Sequence, residues 1–253
     1  MDSDYIRDLR LLKTTFDSGN EADVIAESIA RVSTPGPLRV LDVGFGDGRA
    51  TLQAIRKLTG LGYQVQLTGL DLHISQRLMQ HVPEGTELIE KDFFEYPIDE
   101  QFDAVLSTQS LYYLGEYRPA LHKLLQHMRP AGCLLVTVWT GNCALHDLHK
   151  RFVSAPDASC ITAEDVATAL RSLSPEGSIE LVRTPGSVSV HSWLNTELIG
   201  LAAFRVIARA NDRSSIDGVT YTSFRSRLSS LPKSVKRENG TVVFRCQEEE
   251  VSP

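Results

Sequence analysis

The stretch Val40–Gly48, with the sequence VLDVGFGDG, decides the fold of this chain. It begins as an apolar strand and ends in three glycines, Gly44, Gly46 and Gly48, each two positions from the next. Glycine tolerates positive φ and has no Cβ, so this turn predicts bare backbone held against a ligand. Arg49–Leu58 follows with apolar residues at helical spacing, which directs the amides of the first helical turn toward that ligand. The segment predicts a binding site for a nucleotide-like cofactor.

A second strand narrows the identity of the cofactor. About 20 residues further on, Tyr63–Leu70 predicts a strand that leads into Asp71, an acid that can accept hydrogen bonds from both hydroxyls of a ribose. The dinucleotide fingerprint Gly-x-Gly-x-x-Gly is not matched, because Arg49 stands where its third glycine would fall. No Gly-Lys-Ser/Thr follows the turn, so the Walker pattern also fails. The expected ligand therefore carries a ribose but no pyrophosphate.

From Leu38 to Trp139 the chain resembles the class I methyltransferases that use S-adenosylmethionine. Val40–Gly48 is similar to the first motif of that family, Asp71 to its ribose-binding acid, and Asp92-Phe93 to the pair that holds adenine. The resemblance implies S-adenosylmethionine as the cofactor.

The resemblance continues along the chain in the order of the family. Phe102–Ser107 is similar to the fourth strand, whose end faces the transferred methyl group. Glu116–Met128 and Arg129–Trp139 resemble the helix, the Pro-Gly turn and the fifth strand, with Ala131 inserted in the turn. The implied fold is α/β, with a doubly wound, mostly parallel seven-stranded sheet and an N-terminal helical cap. The implied cofactor-binding residues are Gly44, Gly46, Gly48, Asp71, Asp92, Phe93 and Thr108.

The 253 residues are expected to form a single methyltransferase domain. Residues 1–37 would form the helical cap, with helices at Tyr5–Phe16 and Asn20–Val32 that break at 17–19. Residues 38–140 would form the cofactor-binding core. Residues 141–253 would add helices and antiparallel strands that contribute to the substrate pocket.

Three features of this last part follow from local pattern. Thr162, with Asp165 three residues on, predicts the start of a helix. Alternation predicts two short strands, Ile179–Arg183 and Ser187–Trp193, around a Thr-Pro-Gly turn, and a further turn at 238–240 that leads into a last strand.

Composition restricts the partners. Hydrophobic residues make up 42% and charged residues 23%, and no apolar run reaches the ~20 residues of a membrane span. A net charge of −6 argues against a nucleic-acid substrate, because proteins gain most of their affinity for nucleic acids by neutralising phosphates.

No two of the four cysteines form a C-x-x-C pair, so they indicate neither a disulfide framework nor a metal site. The acidic N-terminus predicts a cytoplasmic protein. We expect a small-molecule substrate and a monomer or homodimer.

Within the class I group the chain resembles histamine N-methyltransferase and its bacterial relatives. Gln109–Leu114 is similar to a Gln-x-Leu-Tyr-Tyr segment whose glutamine and second tyrosine line the amine pocket. Glu21 is placed like a glutamate that accepts hydrogen bonds from the substrate. Ile161–Val166 and Gly240–Phe244 resemble two further segments.

Some positions depart from that subfamily. Leu145 and His149 stand where it carries tryptophans, and Cys246 stands in place of a substrate-holding asparagine. These changes favour a wider class of acceptors: a small amine, an imidazole or an amino-acid-derived metabolite. The resemblance implies Glu21, Gln109 and His149 as catalytic residues, and Phe16, Tyr113 and Cys246 as substrate-binding residues.

Alternatives remain for each assignment. Glu21 also suits a helix N-terminus, and Gln109 could simply satisfy a backbone group at the end of a strand. Phe16 and Tyr113 also suit a core, and His149 with His146 would by default lie on a solvent-exposed helix face. O-methylation of a phenol or carboxylate is a second function, because one fold serves many reactions. A cofactor-binding subunit without chemistry is a third.

Overall fold

The computed structural model describes residues 3–16, 20–74, 76–80, 82–153, 160–208 and 218–246. Its centre is a seven-stranded sheet with the order β3-β2-β1-β4-β5-β7-β6. The strands are β1 (Pro37–Val43), β2 (Gln64–Asp71), β3 (Thr86–Glu90), β4 (Phe102–Thr108), β5 (Met128–Trp139), β6 (Ser178–Ser189) and β7 (Ser234–Arg245).

The first five strands pair in parallel with one another, and β1 pairs with both β2 and β4. The chain proceeds outward from β1 through β2 to β3, and then returns to the other side of β1 with β4. This reversal of strand order creates a crevice at the carboxyl ends of the strands, where ligands bind in open α/β sheets. The predicted doubly wound, mostly parallel sheet is confirmed.

Helices connect and flank the strands. They are α1 (Ser3–Lys13), α2 (Glu21–Ala30), α3 (Arg49–Gly60), α4 (Gln76–Met79), α5 (Tyr117–Gln126), α6 (Ala144–Phe152), α7 (Ala163–Leu173), α8 (Val190–Asn195), α9 (Glu197–Ala208) and α10 (Gly218–Ser229). Two 3₁₀ turns, Phe93–Glu95 and Leu111–Tyr113, follow β3 and β4. The two predicted N-terminal helices are present, and the predicted break between them at 17–19 lies outside the described residues.

Contacts divide the chain into two compact units. The helical unit takes its described residues from Met1–Gly19, Trp139–Cys160 and Arg183–Asn239, and the sheet unit takes them from Asn20–Val138, Ile161–Val182 and Gly240–Pro253. The core of the sheet unit packs α2 and α3 against β1, β2 and β4, with residues such as Ile25, Leu58 and Leu106. The core of the helical unit gathers α1, α6 and α8–α10 around Trp193 and Phe224.

The start of α7 confirms the predicted capping box. The Asp165 amide donates to Thr162 Oγ1 at 3.2 Å, and the Thr162 amide donates to Asp165 Oδ2 at 2.9 Å. Two donors at the helix start are satisfied reciprocally, so the local sequence specifies this end without tertiary help.

Three predicted turns are instead parts of strands. The Pro-Ala-Gly segment before the fifth strand lies inside β5, where a register shift lets the residues between Met128 and Cys133 bulge out. Pro185 lies inside β6, an edge strand, and edge strands tolerate proline because one of their sides has no hydrogen-bond ladder to interrupt. Asn239, expected in a turn, is fully buried within β7. The second of the two predicted short strands, Ser187–Trp193, ends in helix α8.

No helix in the described part of the chain is both long and apolar enough to span a membrane. Among the same residues, no group of three or more histidine, cysteine or acidic side chains is placed to hold a metal ion.

Candidate active site

The predicted cofactor residues of the sheet unit lie at one edge of the sheet. The glycine turn follows β1, Asp71 ends β2, Asp92 follows β3 and Thr108 ends β4. Because these strands are parallel and adjacent, their carboxyl ends meet at this edge. The sequence order of the four segments therefore becomes a spatial cluster.

All three glycines of the turn have positive φ: 73° at Gly44, 59° at Gly46 and 63° at Gly48. A Cβ on Gly44 would lie 2.2 Å from Cβ of Ser110, and a Cβ on Gly48 would lie 2.4 Å from the ring of Phe45. A Cβ on Gly46 would meet no atom within 4 Å. Packing inside the protein thus requires glycine at two positions, and Gly46 alone faces the open space that a ligand can fill.

Most amides of the turn donate within the protein, which corrects the expectation of bare backbone. The Gly44 and Phe45 amides donate to Leu70 O at 2.8 and 3.1 Å, and the Gly48 amide donates to Phe45 O at 2.9 Å. Tight turns satisfy their own donors where they can, since a buried amide without a partner is costly. Helix α3 has no side-chain cap at Gly48, although the Arg49 amide donates to Asp47 Oδ1 at 3.3 Å. The next first-turn amides, those of Ala50 and Thr51, lack intrahelical acceptors and are the donors left for a ligand.

Asp71 ties the turn to the end of β2. Its Oδ2 accepts from the Gly46 amide at 2.7 Å, and its Oδ1 accepts from the His73 amide at 3.0 Å. An ionised carboxylate offers about four acceptor positions, so each oxygen retains capacity for a ribose hydroxyl. The side chain can hold the turn and a ligand at once.

Asp42, one residue before the end of β1, is a buried acid that none of the sequence motifs indicates. It is 2% exposed, and Thr51 Oγ1 on α3 donates to its Oδ2 at 2.6 Å. Burial raises its pKa from 3.8 to about 7; the Thr51 hydrogen bond opposes this shift and the charge of Asp71 adds to it. Its Oδ1 is buried and has no hydrogen-bond partner among the described residues. In the sequence, Asp42 is indicated only by being an acidic residue in an otherwise largely apolar strand.

The segment after β3 forms a compact turn around Asp92. Its Oδ1 accepts from the Phe94 amide at 2.7 Å and caps the 3₁₀ turn Phe93–Glu95. Phe93 is only 3% exposed, so its ring anchors this turn by packing into the protein interior. A role for Asp92 and Phe93 in holding adenine stays a prediction.

Gln109 is the one non-glycine residue with positive φ in the described chain, at 57°. The backbone N–H of Gln109 donates to Thr137 O at 2.8 Å, and this bond holds the strained backbone directly after β4. Its side-chain Nε2 is buried and has no hydrogen-bond partner among the described residues. Strain in a non-glycine residue combined with a buried orphan donor is a mark of a functional position.

A chain of hydroxyls links the end of β4 to the glycine turn. Ser110 Oγ donates to Val43 O at 2.6 Å, and Ser107 Oγ lies 2.8 Å from Ser110 Oγ. Because the Ser110 proton is used on the carbonyl, the Ser107 hydroxyl is the donor of this pair. Ser110 also fills the space that a side chain at position 44 would need.

The other residues of the sheet unit that are predicted to contact the substrate are more exposed than Gln109. Glu21 is the first residue of α2 and partly buried, a position that also favours the helix dipole. Tyr113 is 42% exposed at the end of the second 3₁₀ turn, and Cys246 is exposed directly after β7. Their roles in substrate binding stay predictions.

Phe16 and His149 belong to the helical unit. Phe16 pairs with Val188 in an isolated bridge, and the guanidinium of Arg237 lies 5.1 Å from its ring centroid. His149 is fully buried, with Nδ1 bonded to Ile207 O and its ring edge-on to Trp139. The default expectation of an exposed histidine face is wrong, because α6 packs this face into the helical core, and His146 is also only 7% exposed. A catalytic role for His149 stays a prediction.

Comparison with known proteins places these features in a family. Residues 18–171 match the model of a methyltransferase domain family. A malonyl-(acyl-carrier protein) O-methyltransferase of Bacillus cytotoxicus is 29% identical over 131 residues, which are 50% of this chain and 44% of that protein. The match therefore spans less than half of the length of this curated relative.

Solved structures share the fold. A SAM-dependent methyltransferase from Geobacter sulfurreducens, in complex with S-adenosyl-L-homocysteine, superposes with a TM-score of 0.58 at 17% identity over 95% of this chain and 98% of its own. Phosphoethanolamine N-methyltransferase 2 of Haemonchus contortus gives 0.55 at 17% identity, over 89% and 53%. The chain therefore belongs to the methyltransferase domain family, with the sheet arrangement of the class I S-adenosylmethionine-dependent methyltransferases.

Proposed function

We propose that this protein transfers the methyl group of S-adenosylmethionine to a nitrogen atom of a small amine, an imidazole or an amino-acid-derived metabolite. Membership of the methyltransferase domain family supports the reaction, and the geometry at the carboxyl ends of β1, β2 and β4 supports the site. The buried side-chain Nε2 of Gln109, which has no partner among the described residues, supports the proposed binding of the methyl acceptor.

The residues of the sheet unit fit S-adenosylmethionine. Open space lies over Gly46, spare acceptor positions of Asp71 suit a ribose, and the turn after Asp92 suits adenine. The uncapped start of α3 suits the carboxylate of the amino-acid part, because helix N-termini attract anions. Bound here, the cofactor would supply a methyl group on a sulfonium, which is already an excellent leaving group.

The protein's own task is then mainly to align the acceptor. Correct placement of two reactants is worth about 7–11 kcal/mol, whereas a general base adds roughly 10²–10⁴-fold in rate. An imidazole nitrogen is largely neutral at pH 7 and needs no strong base, given an ordinary pKa of about 6.5. An aliphatic ammonium must lose a proton, for which Glu21, His149 and a water held by Gln109 are the candidate bases. Gln109, with its backbone held by Thr137, would orient the acceptor.

We expect Gln109→Met to lower kcat/KM for the true acceptor by at least about tenfold, or about 1.4 kcal/mol of transition-state stabilisation. Methionine keeps the length of the side chain and removes the orphan donor, whose burial costs about 1–3 kcal/mol. Thermal stability should therefore stay equal or rise while activity falls. The assay is incubation with labelled S-adenosylmethionine and a panel of imidazoles, amines, amino acids, phenols and carboxylates.

The matched control is Gln101→Met, the same change at an exposed position before β4. It should alter neither turnover nor stability. Full activity of Gln109→Met would contradict the role of Gln109, and failure of the unaltered protein to bind S-adenosylhomocysteine would contradict the cofactor.

O-methylation is the second candidate, because the curated relative from Bacillus cytotoxicus is named as a malonyl-(acyl-carrier protein) O-methyltransferase. An orphan amide donor such as Gln109 Nε2 also suits a carboxylate acceptor. The same panel separates the two, since a labelled methyl ester or ether would replace the labelled amine.

The finer assignments rest on the sequence alone. They are the resemblance to histamine N-methyltransferase, the single domain with its division at 37 and 140, the cytoplasmic location, the monomer or homodimer and the absence of a nucleic-acid partner. Each of these stays a prediction.

A further inference from the structure

Lys123, on the last turn of α5, is a buried cation that the proposed reaction does not use. It is 8% exposed, and its Nζ donates to Phe94 O at 2.8 Å and to Tyr96 O at 2.7 Å. Both carbonyls belong to the turn that begins at Asp92. Two of the three donors of the ammonium are thus spent on one short backbone segment.

Aromatic rings enclose the same ammonium. Nζ lies 5.1 Å from the ring centroid of Phe93 and 6.0 Å from that of Phe94, distances at which a ring face attracts a cation. Burial lowers the pKa of Lys123, and the carboxylate of Asp92 offsets only part of that shift. A side chain that loses solvation in this way needs specific partners, and here the partners are the turn itself.

His127, four residues further along the chain, holds the continuation of the segment. Its Nδ1 lies 3.3 Å from Glu100 O, and its ring centroid lies 5.3 Å from that of Tyr96 and 6.0 Å from that of Phe93. Burial lowers the pKa of His127, so the neutral ring is favoured, with Nδ1 as the donor to this carbonyl. The end of α5 therefore fixes the residues from 93 to 100 through three carbonyls.

We propose that Lys123 is a positioning residue for adenine: it fixes the turn from Asp92 to Tyr96 and so sets the affinity and base selectivity of the cofactor site. The inference rests on the proposed S-adenosylmethionine site. A carboxylate and a backbone amide recognise adenine only when both are held at the right spacing. Lys123 fixes the backbone that bears Asp92 and Phe93 from behind, without contacting the base itself.

The test is calorimetric titration of the full chain with S-adenosylhomocysteine and with S-inosylhomocysteine, which carries hypoxanthine in place of adenine. In Lys123→Met, the Kd for S-adenosylhomocysteine should rise about tenfold, or about 1.4 kcal/mol. The ratio of the two Kd values should move toward one, because a loosened turn no longer discriminates between the bases. Lys123→Arg retains a cationic donor, so its Kd for S-adenosylhomocysteine and its ratio of the two Kd values should stay close to those of the unaltered protein.

Lys91→Met is the matched control, because it removes the same charge from an exposed side chain directly before Asp92. It should leave the Kd ratio unchanged. If Lys123→Met unfolds, Lys123→Gln, which keeps a neutral donor, serves in its place and should show the same change in the ratio at smaller size.

The outcomes separate this inference from the proposed function. No binding of S-adenosylhomocysteine by the unaltered protein would overturn the cofactor site. Normal binding by the unaltered protein, with an unchanged Kd ratio in Lys123→Met or Lys123→Gln, would overturn the role of Lys123 alone. A lower melting temperature without a change in the ratio would assign Lys123 to stability only.

Discussion

Gly44→Ala is expected to weaken S-adenosylhomocysteine binding by at least about 100-fold, or about 2.7 kcal/mol. The new methyl group would lie 2.2 Å from Cβ of Ser110, closer than two carbons can approach, at a backbone φ of 73° that alanine disfavours. Relief of the overlap moves either the turn or Ser110, whose hydroxyl bonds Val43 O. Isothermal titration of the folded variant measures the loss.

Gly115→Ala provides the matched control, because φ at Gly115 is 70° and a Cβ there would meet no atom within 4 Å. It carries the same backbone strain without the overlap and should bind the ligand as the unaltered protein does. Unimpaired binding by Gly44→Ala would show that the turn adapts and would contradict the packing argument.

Asp42→Asn is expected to remove a large part of the pH dependence of stability. The pKa of Asp42 is raised in the folded state, from 3.8 to about 7, so the folded state binds a proton more tightly than the unfolded chain. This contribution to the free energy of unfolding is complete below about pH 3.8 and is lost as the pH rises through 7, by up to about 4 kcal/mol. Relative to Asp42→Asn, the unaltered protein should lose stability steadily between pH 4 and pH 8.

Denaturant unfolding at a series of pH values measures this difference. Glu176→Gln, a neutralised acid at an exposed position, is the control and should give a curve parallel to that of the unaltered protein. A constant difference between Asp42→Asn and the unaltered protein across this range would contradict protonation of Asp42 in the folded state.

The part of the site that could be predicted from the sequence is the part that local pattern encodes. The strand, turn and helix around Gly44–Gly48 and the acid at Asp71 are specified by residues close in the chain, and parallel pairing then brings the strand ends together. The capping box at Thr162 is specified in the same way. In each case neighbouring residues satisfy the constraint themselves.

The rest depends on contacts between residues distant in sequence. The partners of Lys123 are carbonyls 27 and 29 positions earlier, so a buried lysine reads in the sequence as part of a solvent-exposed helix face. Ser110 meets Val43 across 67 positions. Pro185 was expected in a turn because the sequence does not reveal that β6 lies at an edge of the sheet. Burial and edge position arise only when the whole sheet assembles.

The unequal surroundings of the three glycines bear on how such a motif persists in evolution. At 44 and 48 a larger residue collides with the protein's own atoms, so selection for folding alone preserves glycine there, even in a descendant that has ceased to catalyse anything. At 46 no such collision occurs, and only the backbone φ of 59° disfavours a side chain. Among homologues, substitution at that middle position costs folding the least of the three, so it is the change that best marks a lineage released from its ligand.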